Sequence, residues 1–157
     1  MGTAAEPYDR VTAFGNQLVQ THVRLRERLD RFRAGEDVPA RDLRAHCLTF
    51  CSVLTRHHEA EDSAAFPVLA REFPELGPVL DELSRDHELV AGAMRRLTAL
   101  LDGDTDRDDI RQEVDTLAAL LETHLVYEEK KIVAALNALR PDTADAAALR
   151  CATTFPE

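Results

Sequence analysis

Four long stretches of this sequence repeat apolar residues with the period of an α-helix. In the first, residues 8–33, apolar side chains recur at spacings of three, four and seven, as at Val11, Leu18, Leu25 and Phe32. The other stretches are residues 39–71, 80–101 and 108–139. The segments between them are rich in glycine, proline and aspartate, which end helices and form turns. The pattern therefore predicts an all-α fold of four long helices.

Four long helices with short connections fit an up-down-up-down four-helix bundle, in which neighbours pack antiparallel. We assign residues 1–140 to this bundle and residues 141–157 to a C-terminal tail of one or two helical turns. Pro67 lies within the second predicted helix, and proline cannot continue the backbone ladder. The sequence therefore predicts a kink or an early end there.

Charge and composition exclude several kinds of partner. The formal net charge is −10 and the pI is about 5.0, which disfavours nucleic acid and anionic membrane surfaces. No apolar run approaches the roughly 18 residues that span a bilayer, and residues 1–10 lack a signal-peptide pattern. We expect a cytoplasmic protein. Cys47, Cys51 and Cys151 form an odd set without two clustered pairs, which predicts reduced thiols rather than a zinc site.

Polar side chains recur on all four apolar stripes, where burial of a histidine or a glutamate is costly without a partner. His57 and Glu61 are four residues apart, as are His124 and Glu128, so each pair lies on one helical face. A lone histidine precedes each pair, by 35 residues in the first half and 37 in the second, which indicates an internal duplication. The predicted inward-facing set is His22, His57, Glu61, His87, His124 and Glu128.

Imidazole and carboxylate ligands together suit iron, manganese or zinc better than calcium. We expect two adjacent metal ions bridged by Glu61 and Glu128, with coordination positions left open for small molecules. His22 and His57 would bind one ion, and His87 and His124 the other. The alternative is a purely structural bundle in which these side chains form buried ion pairs, and the repeated separations argue against it.

Two further side chains stand directly beside predicted ligands in the sequence. His58 follows His57 and is rotated about 100° from it around the helix, so we expect it at the surface or at a helix interface rather than on a metal. Tyr127 precedes Glu128 and is interpreted either as a packing residue or as a redox-active phenol.

Over residues 8–139 the ordered motifs resemble the hemerythrin-like, or HHE cation-binding, family. The resemblance implies a bundle that holds two non-haem iron ions, oxo- or hydroxo-bridged, with no catalytic residues beyond the metal ligands. The motifs are His22, the run His57-His58-Glu59-Ala60-Glu61-Asp62 followed by Phe66-Pro67, the pair Asp86-His87, and the run from His124 to Glu129.

Two departures from oxygen-carrying hemerythrins bear on function. In those proteins a second histidine follows the third-helix histidine by four residues, whereas this chain has Ala91 there. Their fourth-helix carboxylate is an aspartate five residues after its histidine, whereas this chain has Glu128 four residues after His124. The resemblance therefore implies reaction with a small oxidant, namely hydrogen peroxide, oxygen or nitric oxide, and a catalase-like activity is its most concrete form. The alternative is a non-enzymatic protein that binds or senses oxygen, nitric oxide or iron.

Overall fold

A computed structural model describes residues 13–34, 40–103, 106–140 and 142–156. Within these ranges every regular element is helical, which confirms the all-α prediction. None of the described helices combines the length and apolar character needed to cross a bilayer. Val11 and the predicted breaks at residues 35–39 and 104–105 lie outside the described residues. The elements are α1 (Phe14–Arg33), α2 (Ala40–Ala60), a π-helical turn (Glu61–Ala65), α3 (Phe66–Glu72), a 3-10 turn (Pro74–Leu76), α4 (Gly77–Leu101), α5 (Arg107–Ala138) and α6 (Thr143–Thr153).

Pro67 does not end the second predicted helix, because a π-helical turn precedes it and the chain continues as α3. Proline has no backbone N–H, and its ring collides with the carbonyl four residues earlier in a regular α-helix. Here the backbone widens instead, and the N–H of Phe66 bonds to the carbonyl of Glu61, five residues earlier. The helix then continues to Glu72. The predicted early end is therefore wrong, and the wider turn begins at one of the predicted metal-binding residues.

Hydrogen bonds between α1 and α5 join the start of each helix to the end of the other. The backbone N–H of Asn16, near the start of α1, donates to Asn137 near the end of α5 at 3.1 Å. Arg33, at the end of α1, donates to Asp115 in the first part of α5 at 3.0 Å. Polar contacts between α4 and α5, and between the second helical stretch and α4, show the same opposed order of residues. The chain thus brings the middles of its long helices to one level.

The buried apolar residues form two clusters. The first apolar cluster includes Leu25, Phe50, Leu97 and Leu117, and the second includes Phe14, Leu69, Leu83 and Ile132. Each long helix contributes to both clusters, and on each the predicted metal-binding residues lie where the contribution changes from one cluster to the other. A polar layer therefore lies between two apolar ones.

The C-terminal tail forms a helix, α6, that is longer than the one or two turns predicted. Asp142 caps it by accepting the N–H of Asp145 at 2.9 Å. The Thr21 hydroxyl of α1 donates to the carbonyl of Thr153 at 2.7 Å, and Leu149 of α6 is fully buried. The tail thus packs on α1, α2 and the π-helical turn rather than extending into solvent.

Candidate metal centre

All six side chains predicted to bind metal are buried in the polar layer. None is more than 5% exposed, although each is of a residue type that is costly to bury alone. They come from α1, from α2 and the π-helical turn, from α4 and from α5, so four separate parts of the chain converge. The buried set is His22, His57, Glu61, His87, His124 and Glu128.

Their ligand atoms fall into two groups, each with all atoms within 4.8 Å of one another. One group comprises His22, His57, Glu61 and Glu128, and the other comprises His58, Glu61, His87 and His124. Glu61 belongs to both groups. His22 thus shares a group with His57, and His87 shares one with His124 and with His58, which was not among the six predicted residues.

Glu128 also lies between the two groups, with one carboxylate oxygen turned to each. Its Oε1 is 3.2 Å from Nε2 of His22, and its Oε2 is 3.0 Å from Nε2 of His124. Nε2 of His87 lies 3.8 Å from the same Oε2. This is the arrangement that a bridging carboxylate requires.

His58 lies buried in the cluster, whereas the sequence analysis expected it at the surface or at a helix interface rather than on a metal. It is only 5% exposed, and its ring stacks on that of His87 with centroids 3.8 Å apart. The prediction assumed that only one face of the helix meets the centre. In fact α2 packs between α1 and α4, so His57 turns toward His22 while His58 turns toward His87.

The cluster contains many buried polar atoms without a hydrogen-bond partner. Among the described residues, Nε2 of all five clustered histidines and both carboxylate oxygens of Glu61 and Glu128 are in this state. Several lie near one another, as with Nε2 of His22 and Oε1 of Glu128, but not in hydrogen-bond geometry. Buried polar groups are rarely left unpaired in folded proteins. These nitrogens and oxygens face a common space that contains no hydrogen-bond donor for them, an arrangement that suits the binding of cations.

On the far side of the rings, three histidines are held by carboxylates. The Nδ1 atoms of the three rings donate to a carboxylate oxygen at 3.1 Å, 3.0 Å and 3.2 Å. A carboxylate only accepts, so in the neutral form of each ring the proton resides on Nδ1 and Nε2 carries the lone pair that a metal can use. The pairs are His22 with Glu129, His87 with Asp62, and His124 with Asp86.

Sequence reasoning did not assign roles to these three carboxylates. The signal was present, since each acidic residue stands directly beside a predicted ligand: Asp62 follows Glu61, Asp86 precedes His87, and Glu129 follows Glu128. Adjacent residues on a helix point about 100° apart. A carboxylate beside a predicted ligand can therefore reach the outer edge of a histidine ring that comes from another helix.

Without a bound cation, the two buried carboxyl groups compete for one proton. Burial and the nearby charge of Glu128 raise the pKa of Glu61 well above its ordinary value. Burial alone would also raise the pKa of Glu128, but the close approach of Glu61, His124 and His22 holds it well below the ordinary value. Two carboxylates this close repel each other when both are ionised, and positive charge between them relieves the repulsion.

The histidines are shifted in opposite directions. Burial, followed by the charge of His22, lowers the pKa of His57 to about 3, and burial lowers that of His58 as well. Burial also acts to lower the pKa of His87, but the hydrogen bond with Asp62 and the nearby carboxylates of Glu128 and Glu61 outweigh it and raise the pKa to about 11. Metal binding at His87 must therefore displace a proton from its ring.

Two further side chains from the sequence analysis lie away from the cluster. The Tyr127 hydroxyl donates to Glu82 at the surface, and this contact raises the pKa of the phenol. Tyr127 is thus a surface hydrogen-bonding residue on α5 and not a group turned toward the centre. Cys47 and Cys51 are in neither ligand group.

Comparison with known proteins gives one family. The family model described as hemerythrin HHE cation binding domain matches residues 14–136, which span α1 to α5 and all seven clustered side chains. No curated protein and no solved structure matches the chain significantly. With most of its length matched and its histidines and glutamates gathered in one buried layer, the chain belongs to the hemerythrin HHE cation-binding domain family.

Proposed function

We propose that this protein holds two iron ions in the core of an up-down-up-down four-helix bundle and reacts there with small oxidants. The observation that carries the proposal is the set of buried imidazole nitrogens and carboxylate oxygens that have no partner in the protein. One ion would be bound by His22 and His57 and the other by His58, His87 and His124, with Glu61 and Glu128 shared between them.

The donor set supports iron. Imidazole nitrogen and carboxylate oxygen suit first-row divalent metals that change oxidation state, and no thiolate joins either group. The two ions would differ in surroundings, because one group offers two imidazoles and the other three. The group with fewer protein ligands leaves more positions for a small molecule, since six-coordination is common for such ions.

Two bound iron ions, each changing by one electron, would together supply the two-electron chemistry that reduces or disproportionates hydrogen peroxide. The chain itself would exclude bulk water, because the first and second apolar clusters lie on either side of the polar layer. Small diatomic molecules and hydrogen peroxide fit such a buried site better than large organic substrates. Hydrogen peroxide is therefore the leading substrate of this proposal.

Peroxide turnover also moves protons, and Asp62 provides a connection between the centre and solvent. Asp62 is 40% exposed, yet its Oδ1 accepts hydrogen bonds from Nδ1 of buried His87 at 3.0 Å and from the hydroxyl of Ser84 at 2.9 Å. The pair formed by His87 and Asp62 would hold a proton at Nδ1 and exchange it with water at the surface.

Oxygen evolution from added peroxide tests the proposal. The iron-loaded protein should release oxygen far faster than the same concentration of free iron, and His87→Ala should abolish the difference. His46→Ala is the matched control, because His46 is exposed and outside both ligand groups. A wild-type rate equal to that of free iron would remove the catalase-like activity from the proposal.

The second candidate function is a non-enzymatic sensor of oxygen, nitric oxide or iron. It is favoured by the number of buried polar atoms that a bound cation would satisfy, because metal binding then contributes directly to folding. A spectral change on addition of nitric oxide or oxygen, together with a large metal-dependent gain in thermal stability and no peroxide turnover, would favour the sensor.

A further inference from the structure

Outside the metal centre, two nucleophilic side chains lie side by side on α2. Cys47 and Cys51 are one helical turn apart, with their sulfur atoms 3.8 Å from each other. Both are free thiols. The third cysteine, Cys151, is exposed on α6.

The two thiols have different surroundings. Cys47 is 1% exposed and belongs to the first apolar cluster, whereas Cys51 is half-buried at the edge of that cluster. A reagent in solvent therefore reaches Cys51 first. Cys47 stands behind it, within contact distance.

The hydrogen bond between the sulfurs distinguishes them further. Either sulfur can be the donor, and donation by the Cys47 S–H lowers the pKa of Cys51. The same hydrogen bond, together with burial, raises the pKa of Cys47. A partly exposed thiol with a lowered pKa is the form of cysteine that reacts with oxidants, and a second thiol beside it can resolve the product.

We propose that Cys51 and Cys47 form a redox-active dithiol that a hydroperoxide converts to an intrahelical disulfide. The Cys51 thiolate attacks one peroxide oxygen, the O–O bond breaks, and protonation of the leaving oxygen gives Cys51 sulfenic acid and one water. The Cys47 thiol then attacks the Cys51 sulfur, the S–O bond breaks, and a second water leaves. In total two thiols are oxidised by two electrons and one hydrogen peroxide is reduced to two waters.

Closure of this bond would reshape α2. A disulfide needs sulfurs about 2.05 Å apart and Cβ atoms about 3.5–4.5 Å apart, whereas residues four apart on a regular helix have Cβ atoms about 5–6 Å apart. The two turns must therefore be drawn together. His57 follows Cys51 by six residues, about 9 Å along the helix axis, so the distortion occurs close to the metal centre.

The test uses the full-length protein with Cys151→Ser, so that only the pair remains. After treatment with hydrogen peroxide, remaining thiols are alkylated in denaturant and the intact mass is measured. We expect a monomer that has lost two hydrogen atoms and takes up no alkylating reagent, and we expect dithiothreitol to restore both thiols. Protein with both thiols still open to alkylation, or linked into dimers, would overturn the proposal.

Two controls separate this inference from the chemistry of the metal centre. In the same background, Cys47→Ser should leave a Cys51 sulfenic acid that dimedone traps, whereas Cys51→Ser should leave Cys47 unmodified because it is buried. Diamide, which oxidises paired thiols without peroxide, is applied in parallel. If diamide closes the disulfide and hydrogen peroxide does not, a hydroperoxide is the wrong oxidant. If neither reagent closes it, the pair is not a redox dithiol, whatever the result of the iron measurements.

Discussion

Glu129 holds the outer edge of His22, and its replacement offers a sensitive test of how the metal centre is built. Its Oε1 accepts from Nδ1 of His22 at 3.1 Å and from Arg26 at 3.0 Å, while its Oε2 accepts from the same guanidinium at 3.2 Å. The hydrogen bond with His22 is the leading cause that lowers the pKa of Glu129 to about 2. The carboxylate thus fixes both the orientation of the ring and the position of its proton.

Glu129→Gln keeps the size of the side chain but removes its charge. The amide is a weaker acceptor and can also present its NH₂ group to the ring, which favours the wrong tautomer. Loss of such an outer partner typically lowers metal affinity about 10–100-fold, equivalent to about 1–3 kcal/mol. We expect this loss for the ion bound by His22 and a smaller change for the other ion.

Glu122→Gln is the matched control. Glu122 accepts from Nε of Arg26 at 2.9 Å but is 54% exposed and has no contact with His22. Exposed ion pairs contribute only about 0–1 kcal/mol, so metal affinity should hardly change. Affinities are measured by anaerobic competition between the protein and a chromogenic iron(II) chelator. Equal affinities for Glu129→Gln and Glu122→Gln would refute the role assigned to Glu129.

Three further predictions concern stability. Leu125→Ala, in the fully buried core, should lower the free energy of unfolding in urea by about 2–5 kcal/mol. Val126→Ala, at a site that is 52% exposed, should change it by less than about 0.5 kcal/mol. Equal effects of the two substitutions would contradict the packing. Gly15→Ala should lower the melting temperature, because the new Cβ would lie 2.3 Å from the carbonyl oxygen of Val133. Gly92→Ala should raise the melting temperature, because the nearest atom to its Cβ would be 3.6 Å away and alanine favours the helix more than glycine does. A higher melting temperature for Gly15→Ala would contradict the close approach to Val133. The metal-free protein should be most stable near pH 6.5, the ordinary pKa of histidine, as measured by urea unfolding from pH 5 to 8.5. Below that pH the unfolded chain takes up protons on His57 and His58, whose pKa values are lowered in the folded protein. Glu61, whose pKa is raised, binds a proton in the folded protein and offsets one of these two. The free energy of unfolding should therefore fall by about 1 kcal/mol per pH unit. Above it the folded chain retains protons on His22 and His87, whose pKa values are raised, so stability should fall again; stability that rises steadily to pH 8.5 would contradict these shifts.

The helices and the convergence of six polar side chains were predictable because both depend on periodicity. A histidine on an apolar stripe must face the core wherever the helix ends, so small errors in the boundaries of α1 or α5 do not move His22 or His124. The all-α fold is confirmed, and all six residues are buried together. Their roles as iron ligands stay predictions.

His58 was misplaced because one sequence does not tell which helices flank another. A single inward face was assumed for the second helix, whereas α2 packs against both α1 and α4 and has two. The π-helical turn at Glu61 was missed for a related reason. Pro67 indicates an irregularity in the helix, but packing around Phe66 and Ala65 decides whether the helix breaks, kinks or widens.

The last helix was underestimated because its signal is short and rich in alanine. Few of its side chains are large, and its order depends on contacts far away in the sequence, such as the hydrogen bond between Thr21 and Thr153. Short helices are marginal on their own and take most of their stability from tertiary packing. The positions of the carboxylates behind the rings were likewise set by helix packing and not by any local pattern.

The central claim is a pair of metal ions that share Glu61 and Glu128, and the iron content of the loaded protein tests it most directly. After anaerobic loading with iron(II) and removal of free metal, we expect two iron ions per chain, magnetically coupled once oxidised. The double variant Glu61→Ala and Glu128→Ala should retain neither. One iron per chain, two ions without magnetic coupling, or full retention of iron in the double variant would contradict the shared centre.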